Sequence, residues 1–145
     1  MQDSTNIVCP SCGGVNRVPR GRNPMEAKCG SCKTPLFSGS PLALNAAQFD
    51  RQVGRSDVPV LVDFWAPWCA PCRRTAPEFA KAASLLEPNV RLAKVDTEAQ
   101  PGIGARFNIR SIPTMVLFRG GTEIARVSGA MNAGQIVSWV QGNVA

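Results

Sequence analysis

Histidine and tyrosine are both absent from the 145 residues of this chain. Without histidine, Ser-His-Asp and Cys-His catalysis are excluded, as is every metal site with an imidazole ligand. No apolar run approaches the ~18 to 20 residues of a membrane span. The N-terminal residues 1–8 are polar and lack the apolar core of a signal peptide. We therefore expect a cytoplasmic protein without a membrane segment.

Composition leaves room for a folded core. Hydrophobic residues make up 44% and charged residues 18% of the chain, values typical of a globular protein. The formal charge of +6 arises from Lys and Arg residues spread along the whole chain. This dispersed excess is a weak signal for nucleic-acid binding. The length suits one ordinary domain, or a domain joined to a small module.

The six cysteines all fall into three Cys-x-x-Cys pairs. Two pairs, Cys9/Cys12 and Cys29/Cys32, are separated by sixteen residues, a spacing typical of a structural four-cysteine zinc site. Residues 1–40 hold few large apolar side chains, so this segment needs such a staple to fold. Two disulfides or redox-active thiols are the alternative. We expect one zinc ion held by four thiolates, with no open position for catalysis.

The role of this segment stays open among four interpretations. It is a folding staple, a redox sensor that loses zinc on oxidation, an adaptor for partners, or a nucleic-acid contact. The last interpretation rests on five basic side chains with a single aromatic, Phe37, available for stacking. The basic residues are Arg17, Arg20, Arg22, Lys28 and Lys33. A solvated basic face explains them more simply, so nucleic acid is not expected as a partner.

From residue 41 onward, helical and strand patterns alternate. The order α-β-α-β-α-β-β-α predicts a central mixed sheet with helices on both faces. Asn45 and Gln48 have the spacing of a capping box, and Pro77 interrupts a helix predicted over 71–87. Strands are predicted over 58–65, 90–96, 114–119 and 122–127. A short helix or turn is predicted over 99–107, and a helix over 132–141. We expect a zinc ribbon over 1–37, with its strands between the cysteine pairs, a linker over 38–41, and an α/β domain over 42–145.

The third pair, Cys69 and Cys72, lies where a buried strand ends and a helix begins. Unpaired N–H groups and the helix dipole at that position favour a thiolate. The two-residue spacing lets the sulfurs close a disulfide, and Pro71 stiffens the first turn. This arrangement suits thiol–disulfide exchange. Half of a second zinc site is the alternative, although no second half is nearby.

Asp63 stands out in the otherwise apolar strand that precedes this pair. Burial of a carboxylate is costly, so we expect its pKa to be raised and the group to exchange protons with Cys72. The alternative is an aspartate that faces water at a strand end.

Residues 41–145 resemble the thioredoxin family along their whole length. The four N-terminal cysteines make the chain most similar to the zinc-binding, thioredoxin 2 type of that family. The matching segments are Val62-Asp63-Phe64-Trp65-Ala66, Trp68-Cys69-x-Pro71-Cys72, Ala76-Pro77-x-Phe79, Lys94-Val95-Asp96, Ile109-Arg110-Ser111-Ile112-Pro113-Thr114 and Val127-Ser128-Gly129-Ala130. The resemblance implies a thioredoxin fold preceded by a zinc ribbon.

The resemblance also implies roles for individual residues. Cys69 is then the exposed nucleophile and Cys72 the buried resolving thiol. Asp63 is the buried acid and base, tuned by Lys94, and Pro113 is cis beside the disulfide. A flat apolar surface would dock an extended substrate by strand addition. That surface comprises Trp68, Ile112, Gly129 and Ala130.

For partners, the resemblance implies oxidised protein substrates and a flavoprotein thioredoxin reductase as electron donor. The chain itself is expected to bind neither NADPH nor flavin, and to be a monomer. One departure from the family pattern is Ala70, where glycine is usual. Alanine favours the helix by about 1 kcal/mol, and our hypothesis is that it firms the turn and shifts the reduction potential somewhat. Because Pro71 is retained, we still expect a reductant. A disulfide oxidase or isomerase, and a non-enzymatic binding module, remain the alternatives to a reductase.

Overall fold

A computed structural model describes residues 4–144 of the chain. Residues 1–3 and 145, at the outer ends of the predicted ribbon and α/β domain, lie outside the described residues. Residues 1–3 also belong to the polar N-terminal segment 1–8. Within 4–144, no helix combines the length and apolar character needed to cross a membrane.

The N-terminal part is built on an antiparallel ribbon of β1 (Ser4–Val8) and β2 (Val15–Pro19). The expectation of a ribbon lying between the two cysteine pairs is wrong for β1, which precedes Cys9. The physical reason is that the first Cys-x-x-Cys pair forms the hairpin turn itself. Cys9 N–H donates to the carbonyl of Gly14 at 2.8 Å, and Gly13 adopts a φ of 75° that favours glycine.

The second pair forms an equivalent turn. Cys29 N–H donates to Thr34 at 2.8 Å, and Lys33 N–H donates back to Cys29 at 2.9 Å. A bridge between Lys28 and Pro35 closes this second loop. Both cysteine pairs are therefore presented by tight turns that backbone hydrogen bonds hold.

The C-terminal part is a five-stranded mixed sheet with four helices. Its elements are β3 (Leu42–Ala43), α1 (Ala46–Arg55), β4 (Val60–Trp65), α2 (Ala70–Leu86), β5 (Arg91–Asp96), α3 (Pro101–Arg106), β6 (Thr114–Arg119), β7 (Thr122–Ser128) and α4 (Ala133–Val144). The strand order is β3-β5-β4-β6-β7, with the first two pairings parallel and the last two antiparallel. The predicted element order and mixed sheet are confirmed. The two-residue β3 is additional, since it is too short to leave a pattern.

Strand β4 lies at the centre of this sheet and is covered on both faces. Val60, Val62 and Phe64 pack into one apolar cluster, with Phe49 of α1. Leu61 points the other way, into a cluster that contains residues of α2 and α4. The period-two alternation of a strand thus explains why its apolar run is continuous.

Helix α2 is not interrupted at Pro77, contrary to the sequence prediction. It runs unbroken from Ala70 to Leu86. Proline removes only one N–H donor, and the buried face of the helix, which includes Phe79, Ala82 and Ala83, packs along the sheet and outweighs that loss. The helix ends at Leu86, and the next peptide bond but one, between Glu87 and Pro88, is cis.

The ribbon packs directly on the α/β part. Asn6 and Asp57 exchange two hydrogen bonds, of 2.7 and 2.9 Å. Val58 also packs against the apolar cluster of the ribbon. In the connecting segment, Gly39 N–H donates to the carboxylate of Glu87 at 3.1 Å. The segment predicted as a linker is therefore tied to the end of α2.

The capping box at the start of α1 is confirmed and can be tested. Asn45 accepts from Gln48 N–H and Gln48 accepts from Asn45 N–H, each at 2.9 Å. We expect Asn45→Ala to lower the free energy of unfolding by about 1 kcal/mol, because a helix N–H loses its partner. Urea denaturation measures this change. The exposed substitution Gln141→Ala in α4 serves as control and should change stability by less than about 0.5 kcal/mol; equal effects from the two variants would contradict the capping role.

Candidate redox site and metal centre

Cys69 occupies the N-cap position of α2, four residues after β4 ends. Its Sγ accepts the N–H of Cys72 at 3.2 Å and is joined to Cys72 Sγ in a disulfide, with the Cα atoms 5.2 Å apart. A sulfur in this position meets the positive end of the helix dipole, which stabilises a thiolate after reduction. The alternative of half a zinc site is wrong, because the two sulfurs are bonded to each other.

Both sulfurs are more covered than the resemblance implies. Cys69 is 5% exposed and Cys72 is 1% exposed. The expectation of an exposed Cys69 therefore holds only relative to Cys72. Ala66, Trp65 and Ile112 pack around the pair and account for this burial.

The peptide bond between Ile112 and Pro113 is cis, and this loop lies beside the disulfide. Cys69 Sγ is 3.8 Å from the carbonyl oxygen of Ile112. Pro113 in turn accepts the N–H of Gly129 at 2.9 Å, where Gly129 has a φ of 103°. Two segments that are distant in sequence thus meet next to Cys69.

Of the four residues predicted to dock substrate, three line the groove beside the disulfide or bond to the cis-Pro113 loop. Trp68 is 67% exposed, and with Ile112 it lines an open groove. Gly129 is exposed and bonded to Pro113. Ala130 is exposed as well, and only its position after Gly129 relates it to the site.

Asp63 lies within β4, opposite Lys94 of β5 and Met115 of β6. It is 1% exposed, and neither carboxylate oxygen accepts a hydrogen bond from any group in residues 4–144. Burial raises the pKa of this carboxyl to about 7, although the charge of Lys94 acts in the opposite direction. The alternative of a water-facing aspartate is therefore wrong.

Lys94 is half-buried and its Nζ lies 4.6 Å from the centre of the Trp65 ring. Within residues 4–144, Lys94 forms no ion pair shorter than 4.0 Å with Asp63. Its charge therefore acts on Asp63 through space, while the indole face holds the ammonium group.

The sequence reasoning overlooked Arg73. Its Nη1 donates to the carbonyl of Pro67 at 2.8 Å, which ties α2 to the loop that carries Trp68. The available signal was its place directly after Cys72, in the first turn of the helix.

The four N-terminal cysteines converge on one point. Their sulfurs all lie within 4.8 Å of one another, and the closest pairs, Cys9/Cys32 and Cys12/Cys29, are 3.5 and 3.6 Å apart. A tetrahedral zinc with bonds of about 2.3 Å requires sulfurs about 3.8 Å apart. The spacing therefore fits a closed four-thiolate shell.

Backbone N–H groups point at these sulfurs. Ser11 and Cys12 donate to Cys9 at 3.3 and 3.4 Å, and Ser31 donates to Cys29 at 3.4 Å. Hydrogen bonds from neighbouring groups lower the pKa of Cys29 to about 6, and the bond from the Cys32 N–H has the largest effect. At Cys12 the N–H of Gly14 acts in the same direction, but the three neighbouring sulfurs and burial together raise its pKa to about 11. Four sulfurs this close ionise together only when a cation balances them, which zinc does.

Comparison with known proteins agrees with both sites. The family model described as thioredoxin matches residues 40–142, and the model described as thioredoxin 2, N-terminal, matches residues 8–34. The chain belongs to the thioredoxin family. It is a thiol–disulfide oxidoreductase whose redox pair is Cys69 and Cys72, and its N-terminal cysteines hold one structural zinc ion. As a thioredoxin, it requires no flavin or NADPH of its own.

Curated relatives share this thioredoxin character. Thioredoxin C-3 of Corynebacterium nephridii is 46% identical over 134 residues, which cover 92% of each chain. Thioredoxin M-type, chloroplastic, of Chlamydomonas reinhardtii is 35% identical over 86% of this chain and 91% of its own. Thioredoxin 1 of Nostoc sp. is 47% identical over 57% of this chain and 78% of its own.

The zinc site predicts a defined stoichiometry. Protein purified under reducing conditions should contain one zinc per chain, measured by elemental analysis. Cys29→Ser should reduce this content to near zero, because a structural zinc site needs all four ligands to close its shell. Cys72→Ser is the matched control and should retain the zinc. Equal zinc in both variants would contradict the four-cysteine assignment.

The raised pKa of Asp63 predicts a pH-dependent loss of stability. Below about pH 4 the group is protonated in both the folded and the unfolded chain and has no effect. From pH 4 to 7 the unfolded chain releases the proton while the folded chain keeps it, so the free energy of unfolding falls as pH rises. Between 3.8 and about 7 the total loss is about 4 kcal/mol, at ~1.4 kcal/mol per pH unit.

Asp63→Asn should abolish this loss. Its stability relative to wild type should increase by about 4 kcal/mol between pH 4 and pH 8, measured by urea denaturation at each pH. Glu98→Gln, an exposed carboxylate, is the control and should show no comparable change. A constant difference between Asp63→Asn and wild type would show that folding does not raise the pKa of Asp63.

Proposed function

We propose that this protein is a cytoplasmic protein-disulfide reductase that transfers electrons from a thioredoxin reductase to oxidised proteins. The proposed parts are a zinc ribbon over 1–37, a linker over 38–41 and a redox domain over 42–145. The observation that supports the reductase function is the position of Cys69 at the start of α2. Its sulfur accepts the N–H of Cys72 and lies beside the cis-Pro113 loop.

Cys69 is the nucleophile in this proposal. After reduction, its thiolate attacks one sulfur of a substrate disulfide, forming a mixed disulfide and releasing the other substrate sulfur as a thiolate. The helix N-terminus lowers the cost of holding the attacking charge. Although Cys69 is only slightly exposed, it is the more accessible member of the pair.

Cys72 resolves the mixed disulfide. Its thiol loses a proton, and the thiolate attacks the Cys69 sulfur, which releases the second substrate thiolate and restores the Cys69–Cys72 disulfide. The substrate gains two electrons and the enzyme pair loses two. A thioredoxin reductase returns them, as is general for the thioredoxin family to which the chain belongs.

Asp63 is the proposed acceptor of the Cys72 proton, and Lys94 tunes it. A carboxyl group with a pKa of about 7 is divided between its acid and base forms near neutral pH, which suits proton transfer in both directions. The carboxylate has no hydrogen-bond partner among residues 4–144, so no hydrogen bond holds it in one protonation state.

Substrate would dock as an extended strand along the cis-Pro113 loop. Ile112 lies outside the sheet, and its N–H donates to no backbone carbonyl within residues 4–144. A peptide could pair with this backbone while its apolar side chains contact Trp68, Gly129 and Ala130.

Two active-site variants test this cycle. Cys72→Ser should accumulate mixed disulfides between Cys69 and protein substrates, because the resolving thiol is missing. Cys69→Ser should lower insulin reduction to background and trap no substrate. Trapped complexes are counted by non-reducing electrophoresis and located by mass spectrometry, with Cys69→Ser/Cys72→Ser as control. Substrates linked through the N-terminal cysteines would contradict the proposal.

The reduction potential distinguishes a reductase from an oxidase or isomerase. Equilibration with a glutathione buffer should give a value near the about −270 mV of thioredoxin. A value near the about −120 mV of strong disulfide-forming enzymes would instead favour the oxidase interpretation.

A further inference from the structure

Arg91 lies where the redox domain meets the zinc ribbon. It is the first residue of β5 and is 0% exposed, although arginine is rarely buried completely. Its guanidinium lies 4.1 Å from the centre of the Phe37 ring of the ribbon. Its Nη2 donates to the carbonyl of Val8, the residue before the zinc ligand Cys9, at 3.0 Å.

The charge of Arg91 is poorly satisfied by hydrogen bonds. Its Nε and Nη1 find no acceptor among residues 4–144. Burial lowers its pKa to about 10, so the group is still protonated at neutral pH. A buried guanidinium is costly unless an anion compensates for it.

Glu87 supplies only part of this compensation. Its two carboxylate oxygens accept the N–H groups of Gly39 and Leu92, at 3.1 and 3.2 Å. In the described part of the chain, no carboxylate lies within 4.0 Å of Arg91. A second negative group is therefore needed near the guanidinium.

The zinc centre is such a group. Four thiolates around one Zn²⁺ carry a net charge of −2, and Arg91 donates to the carbonyl of the residue directly before the ligand Cys9. Gln52 of α1 adds a second contact, because its Nε2 donates to the carbonyls of Val8 and Cys9 at 3.2 and 3.5 Å. Two buried side chains of the redox domain thus hold the peptide that enters the metal site.

We propose that Arg91 is the counter-charge of the zinc–thiolate centre and the positioning residue that couples metal binding to the redox sheet. Bound zinc compensates the guanidinium, and the guanidinium stabilises the anionic metal shell. Loss of the metal leaves a buried cation at the start of β5, the strand that carries Lys94 opposite Asp63. This inference rests on the zinc site and is independent of the redox cycle of Cys69.

Zinc affinity tests the coupling. Arg91→Met keeps most of the side-chain length and removes the charge, and Arg91→Lys keeps the charge without the planar fork. We expect Arg91→Met to bind zinc about 10- to 100-fold more weakly, as for loss of a group that supports metal ligands. Arg91→Lys should recover part of that loss. Competition with a chromophoric chelator measures the affinity of the full-length proteins.

The control is Arg55→Met, an exposed arginine at the end of α1, which should bind zinc within twofold of wild type. Arg91→Met affinity within the same twofold range would overturn the proposal. Equal weakening in Arg91→Met and Arg91→Lys would also overturn it, because packing rather than charge would then explain the effect.

A second measurement needs no variant and applies even if Arg91→Met does not fold. In wild-type protein, amide hydrogen exchange is compared before and after zinc removal by a chelator. Amides of β5 at Leu92 and Ala93 should lose at least about tenfold protection relative to those of β7, which lies three strands away at the edge of the sheet. Unchanged protection in β5 would contradict coupling between the metal and the sheet.

Discussion

The burial of β4 on both faces is the constraint on which the rest of this structure depends. A strand in the centre of a mixed sheet must be apolar on both sides, and its one carboxylate is therefore placed in the core without a hydrogen-bond partner among the described residues. The loop after this strand leads into α2, where the Cys69 sulfur accepts an N–H of the first turn of the helix. Burial thus raises the pKa of Asp63, while the helix favours the Cys69 thiolate a few residues later.

The protein places six cysteines in two environments with different chemistry. At the redox pair, two sulfurs at one helix terminus form a disulfide, which suits a couple that must open and close. At the ribbon, two tight turns bring four sulfurs together and direct backbone N–H groups at them, which suits a closed metal shell. The buried guanidinium of Arg91 lies between the ribbon and the sheet whose strand β4 leads to the redox pair. The two parts consequently share a charged interface as well as an apolar one.

Local patterns were sufficient for much of the fold. The capping box of Asn45, the continuous apolar run of β4 and the two strands predicted over 114–119 and 122–127 each depend on neighbours in sequence, and each appears in the structure. The errors occurred where packing overrides local preference. Helix α2 continues through Pro77 because its buried face packs on the sheet, and β1 precedes Cys9 because the metal-binding turn also serves as a hairpin turn.

By itself, the sequence determined the two cysteine sites, the order of helices and strands, and the class of chemistry, because spacing and periodicity encode these locally. Tertiary structure alone decided that the Ile112 carbonyl lies beside the Cys69 sulfur, 43 positions away in the chain, and that Asp63 has no partner within residues 4–144. It also decided that Arg91 is buried against Phe37 and Val8. In a sequence an arginine at the start of a strand is expected to face water, and only the approach of the ribbon turns it into a buried charge.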